Sequence, residues 1–286
     1  MRITSLRVHP VKSTAVRPVA SAQLQLRGLA GDRDWVVVDA DGTVVTAREL
    51  HALLGVVADT PGTDPELASD LRLRHPALPD LHLAHPTGPR VRVGLFAHEL
   101  TGVAAGPEAH AWLRAALGRD DLRLVWCDDP TRRRLNPLHS EPGDHTAYAD
   151  GYPLTVASEA SLARLDQWVR EEARARGEEP PAPLPMDRFR PNLVVDGDEP
   201  FTEDHWLRVR VGDVVLRRAK PTDRCVITTI DPATLRTGKE PLRTLARHRR
   251  HEGKTLFAVH LIPETTGTVS VGDEVEVTVR RDAPGR

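Results

Sequence analysis

The stretch KPTDRCVITTID, residues 220–231, joins a charged, turn-like segment to a run of β-branched residues that is typical of a buried strand. Cys225 lies at the junction, beside Arg224. A thiolate is a soft metal ligand, so one thiolate at a strand entrance can ligate a metal whose other ligands come from a cofactor. Taken alone, a lone cysteine is more often a plain core residue, because free cysteines are among the most buried residue types.

Short strands separated by Gly-, Pro- and Asp-rich turns surround this stretch. Asp41-Gly42 predicts a hairpin between residues 35–39 and 43–46, because Asp-Gly tolerates positive φ. A second turn of this kind is predicted at Gly212-Asp213. Many short strands with few helices indicate an α+β fold that is mainly β, with a barrel-like core.

Two amphipathic helices are predicted among the strands. The first covers residues 108–117. The second starts after Ser158, a natural N-cap, and runs to about Arg176 with a stripe of apolar residues. A short helix fits residues 242–249. The basic cluster HRRH at 248–251 is either a solvated face or a docking patch for an acidic electron-transfer partner.

The Pro-, Arg- and Asp-rich segment 128–150 predicts a long irregular connection. We place the domain boundary just before it, which divides the chain into residues 1–127 and 128–286. Long loops without secondary structure often carry function, so this segment can line a site.

Composition narrows the class of protein. The net charge of −2 over 286 residues gives no global attraction to nucleic acid or to an anionic membrane. Two cysteines, Cys127 and Cys225, form neither a disulfide framework nor a CxxC-type zinc site, and such usage fits a reducing compartment. The N-terminus lacks the apolar core of a signal peptide, and no apolar run is long enough to span a membrane. We expect a cytoplasmic protein that binds no nucleic acid and has no membrane span.

Three further segments accompany the cysteine stretch, in the same order along the chain: VHPVKS with Lys12 and Ser13, VVTARELHALLG with Arg48, and YADGYPLTVASEASLARL followed by FRPNLVV with Arg190 and Asn192. In combination they resemble the MOSC family, the molybdenum cofactor sulfurase C-terminal domain family, and in particular its amidoxime-reducing members. The resemblance runs from Ile3 to about Val279. It implies a MOSC β-barrel core in residues 128–286, with a β-rich N-terminal MOSC domain in residues 1–127 packed on it.

The resemblance also implies the molybdenum cofactor, molybdopterin, with Cys225 as metal ligand and catalytic residue. A guanidinium fork and a lysine suit the terminal phosphate of such a cofactor. Without the resemblance, Arg48 would be taken for a surface arginine with a solvated head. The residues that the resemblance assigns to cofactor binding are Lys12, Ser13, Arg48, Ser158, Arg190, Asn192, Asp223 and Arg224.

Several of these residues have a second interpretation. Ser158 serves as an N-cap whether or not it also contacts a ligand. Asn192 is either a turn residue after a proline or an amide that pairs with the pterin edge. Thr222 and Asp223 stand where relatives often show a second cysteine and a serine, and a carboxylate is unexpected beside an anionic cofactor. His260 stands where amidoxime reducers carry a tyrosine. The simpler interpretation of His260 is a core histidine. The simpler interpretation of Cys127 is a structural role.

By resemblance, the activity is reduction of N-hydroxylated compounds such as amidoximes, hydroxylamines or N-hydroxylated bases, with the oxygen taken from the N–O bond by reduced molybdenum. The alternative is a molybdenum cofactor carrier or a sulfur-transfer protein in which Cys225 carries a persulfide. The chain has no nicotinamide fingerprint, no flavin motif and too few cysteines for an iron–sulfur cluster, which usually takes about four thiolates. The expected partners are a small N-hydroxylated substrate and a separate electron-donor protein of the ferredoxin, flavodoxin or cytochrome type; pyridoxal phosphate is not expected.

Overall fold

The computed structural model describes residues 1–281, which form mainly strands with few helices. The α-helices are α1 Pro107–Leu117, α2 Glu159–Ala175 and α3 Leu242–His248, and 3-10 helices cover His51–Gly55, Pro130–Arg132, Met186–Phe189, Thr202–His205 and Val226–Thr229. The strands are β1 Ile3–Val8, β2 Arg17–Val19, β3 Ser21–Gln25, β4 Gly28–Leu29, β5 Trp35–Val38, β6 Val57–Asp59, β7 Leu71–His75, β8 Leu78–Leu83, β9 Arg90–Leu95, β10 His98–Ala104, β11 Arg123–Trp126, β12 Leu154–Ser158, β13 Leu193–Val195, β14 Trp206–Val211, β15 Val214–Asp223, β16 Arg250–His251, β17 Lys254–Pro263, β18 Gly267–Ser270 and β19 Val275–Arg280.

The chain forms two compact units, and each combines separate stretches of sequence. The first, here called the barrel unit, contains Met1–Arg7, Ala20–Leu26 and the chain from Leu154 onward. The second, here called the two-sheet unit, contains Val8–Val19 and Arg27–Pro153. The division into domains 1–127 and 128–286 stays a prediction.

The barrel unit is built on one sheet with the strand order β19-β14-β15-β17-β12-β13-β1. All neighbouring pairs are antiparallel except β12 and β13, which are parallel and are connected through α2. The first strand returns to the last. Arg2 forms a bridge with Glu274, and the Ile3 and Val275 amides donate to Asp273 O at 2.9 Å and Met1 O at 2.8 Å. The sheet therefore closes on itself, as expected for a barrel-like, mainly β core.

Helix α2 begins as its sequence predicts. Ser158 is its N-cap, and the Ser158 Oγ accepts from the Ser161 amide at 3.0 Å. Leu165 and Val169 on its apolar stripe are buried in the core of the barrel unit. In that core the Phe189 and Phe257 rings lie 4.1 Å apart between centroids. The N-terminus of α2 is thus fixed by its own side chains.

The two-sheet unit contains an antiparallel sheet, β5-β11-β10-β9, and a smaller antiparallel sheet, β6-β7-β8. Asp59 at the end of β6 is fully buried and contacts three arginines: Arg17 Nε at 2.7 Å, Arg72 Nη2 at 2.8 Å and Arg74 Nε at 2.8 Å. Arg72 also contacts Asp64 at 2.7 Å. Asp59 therefore offsets one of the three positive charges of this cluster, and Asp64 offsets a second.

The prediction of a strand over residues 226–230 is wrong, because Val226–Thr229 form a 3-10 helix. The hydroxyls of Thr228 and Thr229 bond back to the Cys225 and Val226 carbonyls, at 3.0 and 2.7 Å. Such local bonds compete with strand pairing. The segment predicted to be turn-like instead belongs to β15, which pairs with β17 as far as Asp223 with an irregular register near Pro221.

Candidate functional site

Cys225 lies where β15 ends and the 3-10 helix Val226–Thr229 begins. Its backbone is extended, and its carbonyl accepts from the Thr228 amide at 3.1 Å. Its thiol is not in a disulfide and is half-buried. Cys225 is therefore neither cross-linked nor sealed in the core, which suits a thiol that meets a ligand.

Arg224 points its guanidinium towards core carbonyls. Its Nε donates to Phe257 O at 2.7 Å, and its Nη1 donates to Phe189 O at 3.0 Å. Its Cζ also lies 5.8 Å from the centroid of the Phe189 ring. These contacts fix the backbone on the N-terminal side of Cys225.

Thr222 and Asp223 differ in their surroundings. Asp223 is exposed and lies 3.4 Å from Lys220 Nζ and 3.5 Å from Lys254 Nζ, so its charge is balanced by lysines at the surface. Thr222 is buried, and its Oγ1 has no hydrogen-bond partner among residues 1–281. An unpaired buried hydroxyl carries a desolvation cost, which a bound polar group would relieve. Of these two side chains, Thr222 is therefore the one with unused hydrogen-bonding capacity among residues 1–281.

The other predicted residues of the barrel unit have polar contacts within the protein. Asn192 is buried, with Oδ1 accepting from the Thr155 amide at 3.1 Å and Nδ2 donating to Arg7 O at 3.3 Å. Ser158 Oγ contacts Ser161 Oγ at 2.8 Å in addition to capping α2. Arg190 has a left-handed backbone, with φ of 51°, just after the 3-10 helix Met186–Phe189. Ligand contacts of these three side chains stay a prediction.

The remaining predicted residues, Lys12, Ser13 and Arg48, belong to the two-sheet unit. Lys12 is buried, and its Nζ donates to Tyr148 O at 2.8 Å and to the Asp150 carboxylate. Arg48 lines a pocket of about 250 Å³, with its Cζ 5.1 Å from the centroid of the exposed Phe96 ring. Ser13 is buried and has a φ of 70°. Arg48 thus presents a cation to an open pocket, whereas Lys12 already has an anionic partner.

Burial lowers the pKa of Lys12 to about 8, although Asp150 acts in the opposite direction. The unfolded chain therefore binds more protons than the folded chain between pH 8 and the ordinary lysine value of 10.5. Folding stability should rise with pH across this range because of Lys12. We expect the free energy of unfolding of wild type, relative to Lys12→Met, to increase by up to about 3 kcal/mol across it.

Urea unfolding of both proteins at several pH values measures this difference. Lys239→Met removes an exposed lysine and serves as the control. The free energy of unfolding of wild type, relative to Lys239→Met, should not rise across this range. If the free energies of unfolding of wild type and Lys12→Met differ by a constant amount from pH 8 to pH 10.5, the pKa of Lys12 is not lowered.

Two residues of the long segment 128–150 that sequence reasoning missed act on Lys12 in opposite directions, because Asp150 raises the pKa of Lys12 and Arg133 lowers it. Arg133 is buried and donates to Ala147 O at 2.9 Å and Asp150 O at 2.8 Å. Asp150 pairs with Lys12 across 138 positions of sequence. The composition of this segment indicated that it can line a site, but no sequence pattern pointed to Arg133 or Asp150.

The basic cluster at 248–251 is matched by acidic groups. His248 Nε2 lies 2.9 Å from Glu172 Oε1, and its ring stacks on Trp168 at 4.3 Å. Arg249 pairs with Asp204 and lies over the Phe201 ring. This pairing reduces the positive charge that a docking patch would offer to an acidic partner.

The two remaining side chains singled out in the sequence are buried. His260 Nδ1 lies 3.2 Å from Thr155 Oγ1, in agreement with a core histidine. Cys127 is part of the core of the two-sheet unit, and burial raises the pKa of its thiol to about 12. Within residues 1–281 there is no group of three or more His, Cys, Asp and Glu side chains that could hold a metal ion.

Comparison with known proteins identifies the family. The MOSC N-terminal beta barrel domain matches residues 1–120, and the MOSC domain matches residues 143–276, which include Cys225. The chain belongs to the MOSC family. As a MOSC protein it is 32% identical to human mitochondrial amidoxime-reducing component 1, over 96% of this chain and 82% of the relative. It is 29% identical to human mitochondrial amidoxime reducing component 2 over the same share of each chain.

Among solved structures, the YUAD protein from Bacillus subtilis matches this MOSC protein with a TM-score of 0.42 at 12% identity, covering 96% of this chain and 93% of that chain. Among the helices described in residues 1–281, none combines the length and the apolar character needed to cross a membrane.

Proposed function

We propose that this MOSC protein is a molybdenum cofactor-dependent oxidoreductase that reduces N-hydroxylated compounds such as amidoximes, hydroxylamines and N-hydroxylated bases. The observation that carries the proposal is the state of Cys225: a free, half-buried thiol on a backbone segment that is held from both sides. The similarity to amidoxime-reducing components over 96% of the chain supports the choice of substrate class.

Cys225 is the proposed metal ligand, with the remaining ligands supplied by the cofactor. In the barrel unit, the proposal assigns cofactor contacts to Ser158, Arg190, Asn192, Asp223 and Arg224; in the two-sheet unit, it assigns them to Lys12, Ser13 and Arg48. When bound, the cofactor would supply an electron pair for cleavage of the N–O bond. Arg48 and Arg190 contribute positive charge for the cofactor phosphate. The Thr222 hydroxyl, three positions before Cys225 in the sequence, has no hydrogen-bond partner among residues 1–281.

We further propose that the electrons come from a separate donor protein and that the MOSC protein works in the cytoplasm. Protein purified from cells with intact cofactor biosynthesis is expected to contain molybdenum and to reduce benzamidoxime with reduced viologen. NADH or NADPH alone should give no turnover, because the chain has no nicotinamide fingerprint. Metal analysis measures the molybdenum content, and the amount of benzamidine released measures turnover with each electron donor.

The control is the same protein from cells that are blocked in cofactor biosynthesis, which should be inactive. Turnover of the isolated chain with NADPH would contradict the separate donor. A colourless, molybdenum-free product with cyanide-labile sulfur on Cys225 would refute the reductase and favour the cofactor-carrier or sulfur-transfer alternative.

A further inference from the structure

We infer that Arg188 is a positioning residue for Cys225, an assignment that rests on the proposed function of Cys225 as metal ligand. Arg188 belongs to the 3-10 helix Met186–Phe189. Its side chain reaches the C-terminal end of the 3-10 helix Val226–Thr229, where it contacts Thr228, 40 positions later in the sequence.

The helix Val226–Thr229 has little stability of its own. It is four residues long and has backbone bonds at its two ends, from the Thr228 amide to Cys225 O at 3.1 Å and from the Ile230 amide to Ile227 O at 3.2 Å. Short 3-10 helices have poor hydrogen-bond geometry and seldom persist without tertiary support. The direction in which Cys225 presents its thiol depends on this support.

Arg188 supplies the support at the C-terminal end. Its Nη1 donates to Thr229 O at 3.1 Å and to Thr228 O at 3.4 Å, while its Nη2 donates to Asp231 Oδ2 at 2.9 Å. The Gly238 amide also donates to Thr229 O, at 2.9 Å, whereas Thr228 O receives its side-chain bond from Arg188. Thr228 and Thr229 are buried, so water has little access to their carbonyls as a replacement for Arg188. A cation at the C-terminal end of a helix also interacts favourably with the dipoles of the last carbonyls.

Asp231 is itself fixed. Its Oδ1 accepts from the Ala233 and Thr234 amides at 3.0 and 2.9 Å, which forms a turn after the helix. These amides and Arg188 hold the pKa of the Asp231 carboxyl below its ordinary value. Arg188 therefore binds to a rigid anion rather than to a mobile surface carboxylate.

The same segment holds Cys225 from its other side. The carbonyl of Phe189, which follows Arg188 in the sequence, accepts a hydrogen bond from Arg224 Nη1 at 3.0 Å. Met186–Phe189 thus contacts the chain immediately before Cys225 through Phe189 and the end of the following helix through Arg188. We call this arrangement the Arg188 clamp.

The reactivity of the Cys225 thiol in cofactor-free protein tests the clamp without depending on the metal. We expect Arg188→Ala to raise the rate of Cys225 alkylation by iodoacetamide about tenfold, because the helix opens locally without its charge-assisted bonds. Arg188→Lys and Asp231→Asn should give smaller increases in the same direction. Alkylation of each cysteine is followed by peptide mass spectrometry.

Arg176→Ala is the matched control, because Arg176 is a similarly half-buried arginine of the barrel unit that pairs with Glu172 and Glu178, away from Cys225. Its Cys225 rate should equal that of wild type. Buried Cys127 reports unfolding of the two-sheet unit and should stay unreactive in every variant. Unfolding of the barrel unit is followed separately, by a thermal melt of each variant at the temperature range of the alkylation assay. If Arg188→Ala exposes Cys127, the Cys225 alkylation rates of Arg188→Lys and Asp231→Asn test the clamp in its place.

A wild-type alkylation rate in the variants that keep Cys127 protected would overturn the clamp, as would equal acceleration by Arg176→Ala. After loading with cofactor, Arg188→Ala should release molybdenum faster than wild type, and Arg188→Lys should restore part of the retention. Absence of molybdenum from wild type would refute the proposed function, while the alkylation rates would still report on the clamp.

Discussion

Cys225→Ala is expected to yield a folded protein that retains no molybdenum above background and loses benzamidoxime reduction by more than about 100-fold. Residues that only orient a metal ligand already cost about 10–100-fold when they are replaced, so loss of the ligand itself should exceed this range. The thiol is half-buried, and its removal takes away few core contacts. Thermal unfolding should therefore change little. Metal analysis, viologen-coupled turnover and a melting curve measure the three expectations.

Cys127→Ala is the matched control. It removes the other thiol of the chain, which lies in the core of the two-sheet unit with Val125 and Tyr148. We expect unchanged molybdenum content and turnover, with stability lowered by about 1–2 kcal/mol because of the small cavity. Equal molybdenum content and turnover in wild type and Cys225→Ala would refute the assignment of Cys225.

Asp59→Asn is expected to be the most destabilising conservative change in the two-sheet unit, lowering the free energy of unfolding by about 3 kcal/mol. Removal of one partner from a buried ion pair typically costs about 3–5 kcal/mol, because it leaves charge without compensation. Here the lower end applies, since the side chains of Arg17, Arg72 and Arg74 keep 20–37% of their exposure and thus some hydration. Urea unfolding at pH 7 measures the loss.

Asp64→Asn is the control, because Asp64 pairs with Arg72 and accepts from the Glu66 amide, and its side chain is 28% exposed. This substitution should cost less than about 1 kcal/mol. The pH dependence gives a second check. Burial would raise the pKa of Asp59, but the bonds from Arg72 and Arg74 and the charge of Arg17 lower it overall. The stabilisation by Asp59 should be complete above about pH 4 and decline below it. Equal, small losses in both variants would show that Asp59 is not the centre of the cluster.

Local sequence patterns predicted the elements that local physics determines. Ser158 caps α2 because its hydroxyl reaches the amide of Ser161, three positions later, and this geometry needs no tertiary contact. Gly212-Asp213 joins β14 and β15 because it tolerates the turn conformation. The assignment to the MOSC family rested on several segments in a fixed order, which the family matches over residues 1–120 and 143–276 confirm.

Patterns failed where a tertiary contact decides the outcome. Residues 226–230 are β-branched and have the composition of a strand, but threonine side-chain bonds and Arg188 hold them in a 3-10 helix. The partner of Lys12, Asp150, lies in a segment with no regular pattern. Spacing in sequence carries no information about a pair that the folded backbone brings together, so neither contact could be predicted.

The closure of the barrel by β1 has a consequence for the order of events during synthesis. Residues 3–8 are translated well before their partners at 193–195 and 273–275. The intervening two-sheet unit is complete at Pro153, long before those partners exist. The newborn chain therefore leaves one edge of β1 open until these partners are translated, and an open strand edge is a template for aggregation.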